Sequence, residues 1–257
     1  MATYLYCVLT PPGANALPPG LRGIGDAPVR TLTVGNDASL EAWVATIDDG
    51  VLRATGEALA AQALVHNEVV NAALETGRTP APARYGSRFA DDAQCVADLR
   101  RRSSELREIL GRIAGAVEMS VLLVPLAVQS PTPVLKPEPT EAAAGRRYLE
   151  SVRSRAHIWE ERRAAAEAEA ERVRRLVGEF VRDEARSFGS AGVMSVAHLV
   201  LATEVGSYRA ALEDVEAGRS FRLVVSGPRA PYSFAAQRLG ISGHDSGSPN
   251  RNEETRR

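Results

Sequence analysis

Residues 193–226, VMSVAHLVLATEVGSYRAALEDVEAGRSFRLVVS, decide the fold. VMSVAHLVLAT is apolar and rich in β-branched residues, so it reads as a strand. VGSYRAALEDVEAG reads as a short helix ended by Gly218, and SFRLVVS as a final strand. Upstream, a helical run opens at Thr140 and extends over 141–188. Leu149, Val152, Ala156, Trp159, Ala166, Ala170, Val173, Val177 and Phe180 fall on a 3-4 spacing there, and Arg163 interrupts it. Before this run comes another strand, VEMSVLLVPLAV, and then a crossover over 129–140 with prolines at 131, 133, 137 and 139. The order is strand, long helix, strand, helix, strand. Its natural solution is a sheet with helices on one face, an α+β domain of ferredoxin-like type.

The first half reads as a second α+β unit. TYLYCVL stops at Pro11-Pro12-Gly13 and is a strand. VRTLTV and LEAWVATI flank GNDAS as an antiparallel hairpin. Residues 57–76 carry Leu59, Ala63, His66, Val70 and Ala73 on one helical face, and Gly77 ends that helix. PAPARYGSRF is a constrained loop. Residues 91–114 form the next helix, with Asp91 as N-cap and Val96, Leu99, Ser103, Leu106, Leu110 and Ile113 as its buried stripe. The expected organisation is an N-terminal α+β domain over 1–115, a C-terminal ferredoxin-like domain over 116–236 and a disordered tail over 237–257. That tail is rich in Gly, Ser, Asn and charge.

Composition narrows the function classes. The chain has 257 residues, 31 basic and 32 acidic, for a net charge of −1. A nucleic-acid partner is not expected, because such binders concentrate positive charge. Lys136 is the sole lysine among the basic residues, as expected of a GC-rich genome. Cys7 and Cys95 have no metal-like or CxxC spacing and read as structural thiols in a reducing compartment. No run approaches the ~20 apolar residues of a membrane span, and the N-terminus lacks the pattern of a signal peptide. A cytoplasmic protein is expected.

No catalytic constellation stands out. HExxH, a nucleophile elbow, phosphate loops and Cys/His clusters are all missing from the sequence. His66 lies near the middle of the apolar face of its helix. Gln62 sits one turn before it, so the expected role is a buried hydrogen-bonded pair. Glu68 points away from that face. His157 and His198 read as isolated. Arg84 and Arg88 flank Gly86 in PARYGSRF. Arg84 either pins the turn through backbone carbonyls or recognises a carboxylate, phosphate or partner.

Four stretches and a closing motif, in order, resemble the gas vesicle protein GvpL/GvpF family. YLYCVL with GIGDAPV is similar to its opening strand and Gly-Ile segment. VHNEVV leading into PARYGSRF is similar to its helix and Pro-x-Arg-Phe-Gly-Thr segment, with Tyr85 and Ser87 where Phe and Thr are usual. VEMSVLLVPL resembles its Glu-containing strand, and GRRYLESVR its Gly-x-x-Tyr-Leu helix opening. GPRAPYSF resembles its closing Gly-Pro-Trp-Pro-Pro-Tyr-Ser-Phe, with Arg229 and Ala230 replacing Trp-Pro. The resemblance implies two α+β domains, the second a modified ferredoxin-like fold with a long helix. It implies a non-enzymatic gas vesicle assembly or minor structural protein. Such a protein contacts the small hydrophobic shell protein and other accessory gas vesicle proteins, and needs no cofactor or metal. Two other readings stay open: a ferredoxin-like small-molecule or sensory module with the Arg84 turn as anion site, and an enzyme built on His66.

Arg84, Tyr85, Gly86, Tyr232 and Phe234 are the candidate partner-binding or structural residues. Gly227-Pro228 is expected to turn the chain out of the last strand. Tyr232 and Phe234, on one face by period-two spacing, are expected to fold back as a latch on the second domain.

Overall fold

The computed structural model describes residues 1–11, 16–35, 39–48, 50–126, 141–189, 192–213 and 220–235, with the backbone alone for 141–152 and 154–156. The Pro-rich crossover at 129–140 and the tail at 237–257 lie outside the described residues. Two compact units are present. One comprises Met1–Gly115 together with the chain from Ala230; the other is Ala116–Arg229.

The first unit is built around β1 (Ala2–Leu9), all of whose residues are buried. Its antiparallel sheet has the order β2 (Arg30–Val34), β3 (Leu40–Ile47), β1, β4 (Ala81–Pro82), and β5 (Arg88–Phe89) also pairs with β1. Regular alternation would place Tyr4 on one face and Cys7 on the other. A register shift between Leu5 and Cys7 inserts Tyr6 as an extra residue. Tyr4, Tyr6, Cys7 and Leu9 therefore all join Trp43, Ala45 and Ile47 in one core, with Val69, Val70 and Ala73 of α1 (Gly56–Glu75). Gly77 ends α1 at φ 76°, where its N–H donates to Leu74 O and Arg78 N–H to Ala73 O, the left-handed helix stop that glycine favours.

The helix expected over 91–114 is two helices, α2 (Asp92–Arg101) and α3 (Ser103–Ile113). Asp91 caps α2 by accepting the Gln94 N–H at 2.8 Å. The break falls at Arg102, whose φ −100° and ψ 11° leave the helical region. Leu99, Leu106, Leu110 and Ile113 are all buried, so the kink keeps the apolar stripe turned inward across the junction.

In the second unit, β6 (Ala116–Pro125), α4 (Glu141–Val177), β7 (Val181–Phe188), β8 (Met194–Leu201), α5 (Val205–Glu213) and β9 (Phe221–Arg229) form an antiparallel sheet of order β7-β8-β6-β9. This is the βαββαβ order of ferredoxin-like sheets. Met119, Val121, Leu123, Met194, Val196 and Val200 meet Ala166, Ala170, Val173 and Val177 of α4 and Tyr208 and Leu212 of α5 in one core.

Two boundaries differ from the sequence reading. The long helix does not reach residue 188. It stops at Val177, and VRDEARSF is strand β7. Gly178 is a poor helix former, and β8 takes up the backbone hydrogen bonds of the segment, a partner invisible to local pattern. The last strand does not stop at Ser226 either. The ladder with β6 shifts register between Glu118 and Ser120, Gly227-Pro228 occupies the bulge, and pairing resumes at Glu118–Arg229. A Cβ on Gly227 would lie 2.7 Å from Glu118 O, so glycine is required where the bulge presses on β6.

Candidate functional site

The motif residues of the first unit converge on one buried cluster. Tyr4 and Tyr6 come from β1, His66 from α1, Ala83 to Gly86 from the loop after β4, and Tyr232 from the closing segment. The His66 ring lies 5.6 Å from Tyr4, 5.5 Å from Tyr6, 6.0 Å from Tyr85 and 6.3 Å from Tyr232, centroid to centroid.

Hydrogen bonding fixes the proton positions. His66 Nε2 faces Ala83 O at 3.2 Å, and a carbonyl only accepts, so Nε2 carries the hydrogen. Nδ1 then accepts from the Tyr4 hydroxyl at 2.9 Å, and Tyr4 Oη in turn accepts the Gly86 N–H at 3.0 Å. Tyr6 Oη accepts the Ile24 N–H at 2.9 Å. A Cβ on Gly23 would lie 2.0 Å from that oxygen, so the Gly-Ile pair leaves room for the Tyr6 hydroxyl. Tyr85 donates to Gln62 Oε1 at 2.7 Å, and Gln62 Nε2 donates to Val51 O at 2.8 Å.

The expected His66–Gln62 pair is therefore replaced by two separate chains. Both ring nitrogens of His66 are taken by Tyr4 and Ala83, while Gln62 bridges Tyr85 to Val51. Gly86 has φ 89°, the left-handed conformation that suits glycine, and this turn aims its N–H at Tyr4. Arg84 is exposed on the outside of the same turn, whose Ser87 N–H donates to Arg84 O at 3.1 Å.

The closing motif is placed differently from the sequence reading. Tyr232 and Phe234 belong to the first unit, not the second. Ala230 N–H donates to Asn71 Oδ1 of α1 at 2.9 Å, and Arg112 of α3 donates to Phe234 O at 2.7 Å. Tyr232–Ala235 is a helical turn, α6, so period-two spacing does not apply to it. Tyr232 is half-buried in the His66 cluster and Phe234 is buried. The apolar positions that receive this segment lie more than a hundred residues upstream, which no local pattern reveals.

Burial sets the electrostatics. It pushes His66 down to about 4, against a smaller upward effect of the Ala83 carbonyl, so the ring is neutral at ordinary pH. It pushes Tyr6 up to about 12 and Tyr4 further. His66 and Tyr4, neutral and bonded to each other, to Ala83 O and to Gly86 N–H, make a positioning network.

A second network lies in the other unit. His198, expected to be isolated, is fully buried. Its Nδ1 lies 2.7 Å from Tyr208 Oη and its Nε2 3.0 Å from Glu184 Oε2. The carboxylate accepts from Nε2–H, so Tyr208 donates to Nδ1. Glu184 also pairs with Arg174 at 3.4 Å and with Arg186, and Arg186 reaches Glu167 at 3.0 Å and Glu171 at 3.3 Å on α4. The network ties β7, β8, α4 and α5 together. Sequence reasoning missed it because its members sit on different elements, and Glu184 and Arg186 fall within the span expected to be helix, 141–188. Among the described residues no group of three or more His, Cys, Asp or Glu side chains could hold a metal ion, and no helix is long and apolar enough to cross a membrane.

The family described as gas vesicle synthesis protein GvpL/GvpF matches residues 2–236. Gas vesicle protein L of Streptomyces sp. (strain CB03234) is 32% identical over 254 residues, covering 90% of this chain and 92% of that protein. The crystal structure of gas vesicle protein GvpF from Anabaena sp. PCC7120 superposes with a TM-score of 0.65 at 18% identity, covering 91% of this chain and 95% of that one. GvpF from Microcystis aeruginosa gives a TM-score of 0.65 at 16% identity, covering 91% and 98%. These two likenesses extend the α+β fold over both units. With the match running from the first strand to the closing motif, the chain belongs to the gas vesicle synthesis protein GvpL/GvpF family.

Proposed function

We propose that this chain is a non-enzymatic assembly or minor structural protein of gas vesicles. It acts in the cytoplasm and at the vesicle, binding the small hydrophobic shell protein and other accessory gas vesicle proteins. The observation that carries this reading is the family match over residues 2–236. Two features of the molecule support it. The polar groups of His66 and Tyr4 are spent on each other and on the backbone of Ala83 and Gly86, so His66 is held as a neutral structural ring and not as a poised base. The first turns of α1 also expose apolar side chains beside Glu57, with Leu59 40% and Leu64 64% exposed, suited to an apolar partner.

Within this reading Arg84 and Gly86 on the exposed turn are partner contacts. Tyr85, Tyr232 and Phe234 hold the turn and the closing segment in place. Co-expression with the shell protein tests the function. The soluble fraction of shell protein is expected to rise with this chain present, and the two are expected to co-purify. Arg84→Ala and Leu64→Glu are expected to weaken capture at unchanged melting temperature. No co-purification and no change in shell-protein solubility would overturn the proposal.

A further inference from the structure

We propose that the open edge of β9 is a self-association surface, pairing antiparallel with the same edge of a second copy of this chain. In the order β7-β8-β6-β9, β9 pairs with β6 on one side, and among the described residues no strand lies on its other side. Leu126 N–H donates to Ser220 O at 2.9 Å, which marks that pair as hydrogen-bonded across the β6–β9 ladder. Alternation then turns the backbone groups of Arg222, Val224 and Ser226 toward β6. The N–H and C=O groups of Phe221, Leu223 and Val225 face outward.

The two edges of this sheet are built differently. β7 carries Arg182, Asp183, Glu184 and Arg186, and charge on an edge strand discourages pairing with another chain. From Leu223 to Gly227, β9 carries no charge, and Val224 and Val225 are 37% and 39% exposed.

The sequence of this edge complements itself. With a twofold axis at Val224, the outward groups of Leu223 meet those of the partner's Val225, and those of Val225 meet the partner's Leu223. That is the hydrogen-bonded arrangement of an antiparallel pair. Val224 then faces the partner's Val224 in the close, non-hydrogen-bonded position. Apolar residues oppose apolar residues, as in stabilising cross-strand pairs. Arg222 comes opposite the partner's Ser226, so like charges do not face each other. The strand's usable length ends at the bulge, since Pro228 has no N–H. A closed twofold contact of this kind joins two four-stranded sheets and leaves no further edge of the same sort open.

The test uses the full chain. Sedimentation equilibrium is expected to give a monomer–dimer equilibrium. Val224→Lys, which sets two ammonium groups opposite each other on the axis, is expected to raise the dimer dissociation constant at least about tenfold at unchanged melting temperature. Val224→Cys gives a second readout that does not depend on how the lysine variant folds. Facing residues of a close pair lie within disulfide reach, and the native Cys7 and Cys95 are buried. Mild oxidation is therefore expected to cross-link V224C into a covalent dimer, and V225C far less. A wild-type chain that stays monomeric at its highest soluble concentration would overturn the proposal. So would a dimer indifferent to V224K, or a V224C dimer that does not cross-link.

Discussion

Removing the Phe234 ring tests where the closing motif belongs. Phe234 is 4% exposed, and its carbonyl is held by Arg112 of α3. Phe→Ala in a core costs about 3–5 kcal/mol, so Phe234→Ala is expected to cost about 3 kcal/mol. Cutting the chain after Arg229 also removes buried Ala230 and Ala235, the half-buried Tyr232 side chain and the bond to Asn71, for a loss of about 5 kcal/mol. The two tryptophans allow the units to be followed separately. Trp43 is fully buried on β3 in the first unit, and Trp159 packs edge-on against Phe188 at 4.9 Å in the second. In a Trp159→Phe background, Trp43 fluorescence reports the first unit, and Trp43→Phe gives the converse reporter. At a slope near 1.5 kcal/mol per molar urea, F234A is expected to lower the Trp43 midpoint by about 2 M. The Trp159 midpoint is expected to move little. An unmoved Trp43 transition together with a falling Trp159 transition would refute the assignment and return the motif to the second unit.

Gly23→Ala is expected to cost about 2–3 kcal/mol by driving a methyl into the Tyr6 hydroxyl. The loss in the Gly23→Ala, Tyr6→Phe double variant should fall short of the sum of the singles, measured by urea unfolding. Acid should weaken the first unit. His66 is neutral when folded, with its pKa held at about 4, and titrates near 6.5 when unfolded, so the unfolded chain binds the proton first. That contribution is complete above about pH 6.5 and falls away toward pH 4, for about 3 kcal/mol in all. Stability measured against pH should show this slope, and His66→Gln should flatten it. Tyr208→Phe leaves His198 Nδ1 buried without its donor. It is expected to destabilise the second unit by about 1–3 kcal/mol, read by Trp159.

Pattern and composition alone determined the α+β class, most of the elements and the buried stripes. These depend on spacing along one strand or helix. Ala166, Ala170, Val173 and Val177 line the core because a 3.6-residue period puts them on one side of α4 wherever that helix lies. Asp91 caps and Gly77 stops for equally local reasons. What required the tertiary structure was every feature whose partner is remote in the chain. VRDEARSF has the charge pattern of a helix surface and becomes a strand because β8 supplies its hydrogen bonds. The extra residue at Tyr6 is set by pairing with β3, and it brings Cys7 and Leu9 into the core that holds Tyr4 and Tyr6. The Glu184–His198–Tyr208 network joins residues on three elements. The closing PYSF turn goes to the first unit because Asn71, Arg112 and the His66 cluster receive it there. Local periodicity carries the direction of a side chain, but not the identity of the surface that chain folding brings to meet it.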